Sequence, residues 1–325
     1  MKFKPTAQQQ HIVATALTGQ DVIVQAYAGA SKTTTLTLIA DALKDKSILY
    51  VAFNKAIAVE AAEKMPSNVE CRTVHSVAYA NTPKNIISKL RGYKPNNKML
   101  VQELGVEGFD VVDPKADDTV YLSPLRLVGW VTRTTLRFMQ SSDATLQTKH
   151  IYIDDDYKHL QISPVKPMIL ECAKKLWAKY IDPKDKTTIP HDVYLKLFSL
   201  SAKHLGYDVV MLDEAQDCSG VMVNILDAQQ SQKIYVGDSF QKIYSFTGSI
   251  DISKRVQGVE CFLSQSFRFG SKIADEANVI LNQLGATLPL DGFGNDSVVE
   301  DYSVEPDAII CRTNSVVLET YIAQQ

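Results

Sequence analysis

Residues Ala26-Tyr27-Ala28-Gly29-Ala30-Ser31-Lys32-Thr33-Thr34 follow a β-rich run, Asp21 to Gln25, and open a segment of helical character, Ser31 to Leu43. A strand, a turn of small residues, then a lysine and a hydroxyl at the mouth of a helix is the setting of a phosphate-binding P-loop. Backbone N–H groups of the turn and the helix N-terminus would receive the phosphates along Ala26, Tyr27, Ala28, Gly29, Ala30, Ser31 and Thr34. Lys32 would neutralise β- and γ-phosphate oxygens, and the Thr33 hydroxyl would hold magnesium. Two positions depart from the ideal loop. Ala26 stands at its first position, and Ser31 replaces the glycine before the lysine, so a Cβ crowds the approach of backbone to phosphate. The rival reading is a strand-turn-helix with no ligand.

Three more clusters carry chemistry. Val209 to Leu212 is a short apolar run that ends in Asp213-Glu214-Ala215-Gln216-Asp217. A strand tip would deliver Asp213 to the edge of a sheet where the P-loop also opens. Asp213 would coordinate magnesium, directly or through water, and Glu214 would orient and deprotonate an attacking water. Alone, the acids read as a helix-capping turn. The run from Tyr235 to Phe246, YVGDSFQKIYSF, begins on the next strand. The Gln241 amide suits a γ-phosphate contact that hydrolysis would break. Tyr244 and Phe246 suit stacking on bases, with core packing as the other use of such rings. Finally, Leu263-Ser264-Gln265-Ser266-Phe267-Arg268 offers an arginine able to reach a γ-phosphate from a second lobe and a ring, Phe267, for the adenine. Otherwise Arg268 is a surface residue at a strand end.

These groups need elements to position them. Ile48 to Phe53 reads as a second strand and Lys55 to Met65 as a second helix stopped by Pro66. Strands alternating with helices predict an α/β fold with a parallel, doubly wound sheet. Residues 81–205 have another texture. Apolar-periodic segments, Ser123 to Met139 and Val165 to Tyr180, lie between polar linkers, which predicts a mostly helical insertion. The α/β pattern resumes with Val209 to Leu212 and Ile234 to Val236. A further unit is expected from about Glu260, with strands at Cys261 to Leu263 and Ala308 to Cys311, a helix at Ser271 to Leu284 and a solvated connector at Asp291 to Asp301. The acidic run Asp154-Asp155-Asp156 reads as a solvated loop.

The composition sets outer bounds. The 325 residues are 45% hydrophobic and 22% charged, which excludes wholesale disorder and fits two to three domains. With 34 basic and 37 acidic residues the net charge is -3, so a uniformly basic coat is excluded while a local basic groove is not. No apolar run approaches the roughly 20 residues that span a bilayer. The five cysteines have no CxxC spacing, which argues against a zinc site or disulfide framework and for a reducing compartment, cytoplasmic or, in a eukaryotic host, nuclear.

Taken together and in this order, the blocks resemble the superfamily 1 DNA helicases of the UvrD/Rep type. The branch of the F-box DNA helicase is suggested by YVAFNK from Tyr50, NVECRTVHSVAY from Asn68 and HDVYLKL from His191. The resemblance implies a RecA-like P-loop NTPase lobe formed by residues 1–80 and 206–259, with 81–205 inserted and 260–325 beginning a second RecA-like lobe. It implies ATP and magnesium as cofactors and movement on single-stranded DNA, 3′ to 5′. Gln9, within Thr6-Ala7-Gln8-Gln9, would read the adenine edge. Phe53, Asn54, Thr73 and His75 would line the single-strand track, where a ring stacks on a base and small polar groups meet phosphates. For Phe53 and His75 ordinary burial is the rival reading. Thr247 stands where the family has an arginine. The sequence stops before the family's last two motifs, so the resemblance implies a second lobe completed by a missing segment or a partner chain.

Two other functions stay open on these residues. One is a helicase-like module that binds nucleotide or DNA without turnover, because of Ser31 and the unfinished lobe. The other, a P-loop kinase or GTPase, leaves the GDSFQ and SFR blocks unexplained.

Overall fold

Strands and helices alternate from the start of the chain. A computed structural model describes residues 4–242, 256–294, 309–311 and 313–323. They divide into two compact units, split between Ser264 and Gln265. In the first unit Thr6 caps helix α1 (Ala7–Ala16), its hydroxyl accepting from the Gln9 backbone while the Gln9 side chain accepts from the Thr6 N–H, a reciprocal capping box. There follow β1 (Val22–Ala26), α2 (Lys32–Ala42), β2 (Ile48–Ala52), α3 (Lys55–Lys64), β3 (Val69–Thr73) and α4 (Val74–Asn81). After the insertion come β6 (Val209–Leu212), α10 (Gly220–Asp227), β7 (Gln232–Gly237) and β8 (Val259–Leu263). The strands form one six-stranded sheet in the order β3-β2-β6-β7-β1-β8, parallel at every pairing.

The near-continuous apolar runs of β1, β2, β6 and the second half of β7 follow from burial on both faces. Val22, Val24, Ile48, Tyr50, Val209, Met211, Ile234 and Val236 face a core shared with Ile12, Leu36 and Ile39 of α1 and α2. Their neighbours Ile23, Leu49, Val51, Val210, Leu212 and Tyr235 face the opposite core, with Val77, Phe198, Val221 and Ile225. Because all six strands are parallel, all their C-terminal ends lie along one edge, where ligands of such sheets bind.

The insertion has its own core. It comprises α5 (Lys84–Ile87), α6 (Asn97–Leu104), an antiparallel hairpin of β4 (Phe109–Asp113) and β5 (Asp118–Leu122), α7 (Pro124–Gln140) and α8 (Lys166–Ile181). Leu104, Leu122, Leu127, Trp130, Val131, Phe138, Ile169 and Leu176 are buried together. The α7 segment supplies this stripe at helical spacing, with Ser123 as its cap. Helix α9 (His191–Ser201) belongs to both bodies: Val193 lies in the core of the insertion, and Tyr194, Leu195 and Phe198 lie in that of the sheet. Lys196 is fully buried, donating to the Ser141 and Asp143 carbonyls and sitting 4.3 Å from the centroid of the Phe138 ring.

The second unit contains α11 (Ser271–Gln283) and α12 (Asn314–Ala323). Ser266 N–H donates to the Asp291 carbonyl at 2.7 Å, and the Asn278 amide exchanges two hydrogen bonds with Leu290.

The structure departs from the sequence reading at four places. The strand near Cys261 pairs with β1 and closes the edge of the first sheet, so the unit boundary falls after Ser264 and not at Glu260. Ile309, Ile310 and Cys311 form no strand, and Ile310 is almost fully exposed. The helical insertion also holds the β4–β5 hairpin, whose alternation is masked because apolar Val112 and Tyr121 stand on its exposed face. Asp154 is no solvated loop residue. It accepts from Trp130 Nε1 at 2.8 Å and from Arg133 at 2.9 Å, which hold its carboxyl below the usual range, while Asp155 and Asp156 are exposed.

Candidate functional site

The turn after β1 carries Gly29 at φ 76° and Ser31 at φ 55°, both left-handed, and Lys32 begins α2. Ser31 makes no side-chain capping bond, so its hydroxyl does not offset the strain of a Cβ in this region. Ala26 and Ala30 are buried, Tyr27, Ala28, Gly29, Ser31, Lys32 and Thr33 are partly exposed, and Thr34 is exposed. Thr35 Oγ1, one turn into α2, bonds back to the Ser31 carbonyl at 3.1 Å.

Asp213 and Glu214 follow β6 two strand positions away. Lys32 Nζ lies 2.7 Å from Glu214 Oε2, joining groups 182 residues apart. Asp213 is 4% exposed. Its Oδ2 accepts from Tyr50 OH at 2.6 Å and its Oδ1 from the Glu214 N–H at 2.9 Å. Burial and the Glu214 charge push the Asp213 carboxyl up, against the Tyr50 hydrogen bond and the Lys32 charge. Glu214 has φ 51°, a second strained residue at the same edge.

The β7 end completes the cluster. Gln216 Nε2 donates to Glu214 Oε2 at 2.8 Å, and its Oε1 accepts the Asp238 N–H at 3.0 Å. Asp238, buried and pushed up by that burial, takes the Phe240 N–H and, at 2.8 Å, Gln241 Nε2. Ser239 Oγ donates to Gln25 Oε1, and the Phe240 ring lies 6.0 Å from that of Tyr27. One bonded chain thus runs from Lys32 through Glu214, Gln216 and Asp238 to Gln241.

Tyr50, Gln216 and Asp238 had no assigned role in the sequence reading. For Tyr50 a signal existed: a phenol inside an otherwise aliphatic, fully buried strand requires a hydrogen-bond partner. The Gln9 side chain is 0% exposed and is used internally, donating to Thr35 Oγ1 at 3.1 Å and accepting from Thr6. Its burial leaves the neighbouring Gln8, bonded to Ser264, as the more accessible glutamine.

The expected DNA-track residues sit at the ends of β2 and β3, along the same edge. Phe53 is half-buried. Asn54 caps α3 through a bond from the Ile57 N–H, and Thr73 caps α4 through one from Ser76. These caps explain the two residue types independently of any ligand. His75 Nδ1 lies 3.1 Å from Tyr194 OH. Tyr244 and Phe246 lie outside the described residues, as does Thr247. In the second unit Arg268 is exposed and the Phe267 ring packs at 5.2 Å against Phe293.

The fold is that of a RecA-like P-loop NTPase domain. The family described as AAA domain matches residues 9–247, and the chain belongs to it and, with the relatives below, to the UvrD-like superfamily 1 helicases. It is 34% identical to F-box DNA helicase 1 of Gallus gallus over 293 residues, 86% of this chain and 28% of that protein. It is 31% identical to F-box DNA helicase protein 1 of Schizosaccharomyces pombe over 341 aligned positions, 95% of this chain and 38% of that protein. The chain therefore spans well under half the length of these relatives. Among the described residues no helix is long and apolar enough to cross a membrane.

Proposed function

We propose that the protein is an ATP-dependent DNA motor, hydrolysing ATP with magnesium and moving along single-stranded DNA, 3′ to 5′. The observation that carries this reading is the Lys32–Glu214 pair at 2.7 Å, backed by Asp213 and by the Gln216–Asp238–Gln241 chain. A phosphate lysine, a base and a metal carboxylate on one sheet edge are the parts of P-loop hydrolysis.

Lys32 would exchange Glu214 for the β- and γ-phosphates when the triphosphate enters. Glu214 Oε2, released from Lys32 but still held by Gln216, would then take the proton of the attacking water. Asp213 and the Thr33 hydroxyl would supply oxygen donors of the kind magnesium takes alongside water and phosphate. Bound there, the ion would neutralise charge developing on the phosphate oxygens. Gln241, tethered to Asp238, would report the γ-phosphate, and Arg268 would stabilise transition-state charge. Phe267 would meet the adenine. Phe53, Asn54, Thr73 and His75 would contact the strand, with binding that weakens as salt rises.

The test is ATP hydrolysis with and without single-stranded DNA. Lys32→Ala and Glu214→Gln are expected to lower kcat by about 100-fold or more. A folded wild-type protein that hydrolyses nothing in either condition removes the motor reading. Ser31 favours a second reading, a module that binds nucleotide without turnover, since its left-handed Cβ stands in the phosphate turn. Binding of an ATP analogue without hydrolysis, unchanged in Ser31→Gly, would establish the module. Turnover gained in that variant would instead identify the loop as the defect.

A further inference from the structure

The HDVYLKL segment has no part in hydrolysis, yet it opens α9 beside the expected DNA track. Tyr194, buried at 4% exposure, brings its phenol oxygen to two imidazoles at once: His75 Nδ1 at 3.1 Å and His191 Nδ1 at 3.0 Å. Both rings stand edge-on to the phenol ring, with centroids at 5.7 and 5.6 Å, and Tyr79 packs edge-on to it at 5.8 Å. A phenol has one proton and two lone pairs. It can donate to one Nδ1 while accepting from the other, or accept from both when both imidazoles are charged. Either way the Nδ1 atoms are turned inward, which leaves each Nε2 directed away from the phenol. Neither Nε2 has a hydrogen-bond partner among the described residues. His75 is half-buried on α4 and His191 is exposed at the start of α9.

We propose that His75 and His191 form a paired phosphodiester contact for single-stranded DNA, with Tyr194 as the residue that positions both rings. The proposal rests on the DNA-motor reading and adds to it a ligand, His191, and a pH dependence. The groups acting on His75 are Asp192 and His191 on α9, together with its own burial. Burial is the largest influence and favours the neutral ring; Asp192, whose carboxylate is 3.4 Å from Gln140 Nε2, favours the charged one; His191 opposes it. A phosphate arriving at Nε2 adds the charge that holds the proton. Binding therefore takes up protons, and the contact strengthens as pH falls and is lost as pH rises.

The experiment is fluorescence anisotropy of a labelled oligothymidylate with the full chain, as a function of salt, between pH 5.5 and 8.5. Each charged imidazole on a phosphate adds about 0.7 to the slope of log affinity against log salt for a single strand. The wild-type slope is expected to steepen by about 1.4 at the acid end. His191→Ala, at an exposed position, should remove about half of that increment, and Tyr194→Phe, which keeps the ring and deletes only the hydroxyl, should reduce it as well. A purely structural tyrosine would leave the increment in place. A wild-type slope independent of pH, or an increment kept in full by His191→Ala, overturns the proposal and leaves the motor reading standing. No binding of the strand at any pH overturns both.

Discussion

Single side chains set the chemistry of this sheet edge. Ser31 sits at φ 55° with no capping bond, where a non-glycine residue costs about 1 kcal/mol or more. Ser31→Gly is therefore expected to stabilise the fold by about 0.5–1 kcal/mol, read as a higher midpoint in urea unfolding at unchanged slope. Tyr50 acts on Asp213 through one hydrogen bond that favours the ionised carboxylate. Tyr50→Phe removes it, so the Asp213 carboxyl moves further up. If the ionised form holds magnesium, the acid limb of kcat/KM shifts to higher pH, and a pH profile of hydrolysis checks it. The residue types of the P-loop and the paired acids were legible from the sequence, because each is defined by neighbours along the chain. Tyr50, Gln216 and the burial of Gln9 were not. Their roles come from atoms 163, 22 and 26 positions away, respectively.

At the scale of elements, the strands that run apolar and end in a charge or a small turn were read correctly, since burial on both faces leaves few other sequences. What escaped was partnership. Cys261 lies in a strand whose local pattern fits a new lobe equally well, and only its pairing with β1 assigns it to the first sheet. The end of β7 is constrained by closeness. A Cβ on Gly237 would lie 2.6 Å from Gln216 Oε1 and 3.1 Å from the Gln216 backbone nitrogen. Gly237→Ala must therefore displace the amide that joins Glu214 to Asp238. The expected result is a loss of about 1–3 kcal/mol in denaturant unfolding, together with impaired hydrolysis. A variant with wild-type unfolding and turnover would show that the Gln216 link is dispensable.

Across the whole first unit, α9 joins two cores, and Lys196 is the buried charge at that joint. Burial brings its ammonium down from the ordinary lysine range to about 8. The unfolded chain, with an ordinary lysine, binds the proton more tightly, so stability should rise with pH between about 8 and 10, by an amount of the order of 2–3 kcal/mol. In Lys196→Met this increment should vanish, as measured by thermal or urea unfolding across that range. The strand order has a further consequence, one of timing. The lysine-bearing turn hangs from β1, whose two flanking partners begin at Gln232 and Val259. More than 200 residues must be synthesised before that strand gains either neighbour, and a non-local parallel pairing of this kind forms slowly. During translation the nascent polypeptide should stay unable to grip a triphosphate until residue 263 has cleared the ribosome exit tunnel, however early its P-loop emerged.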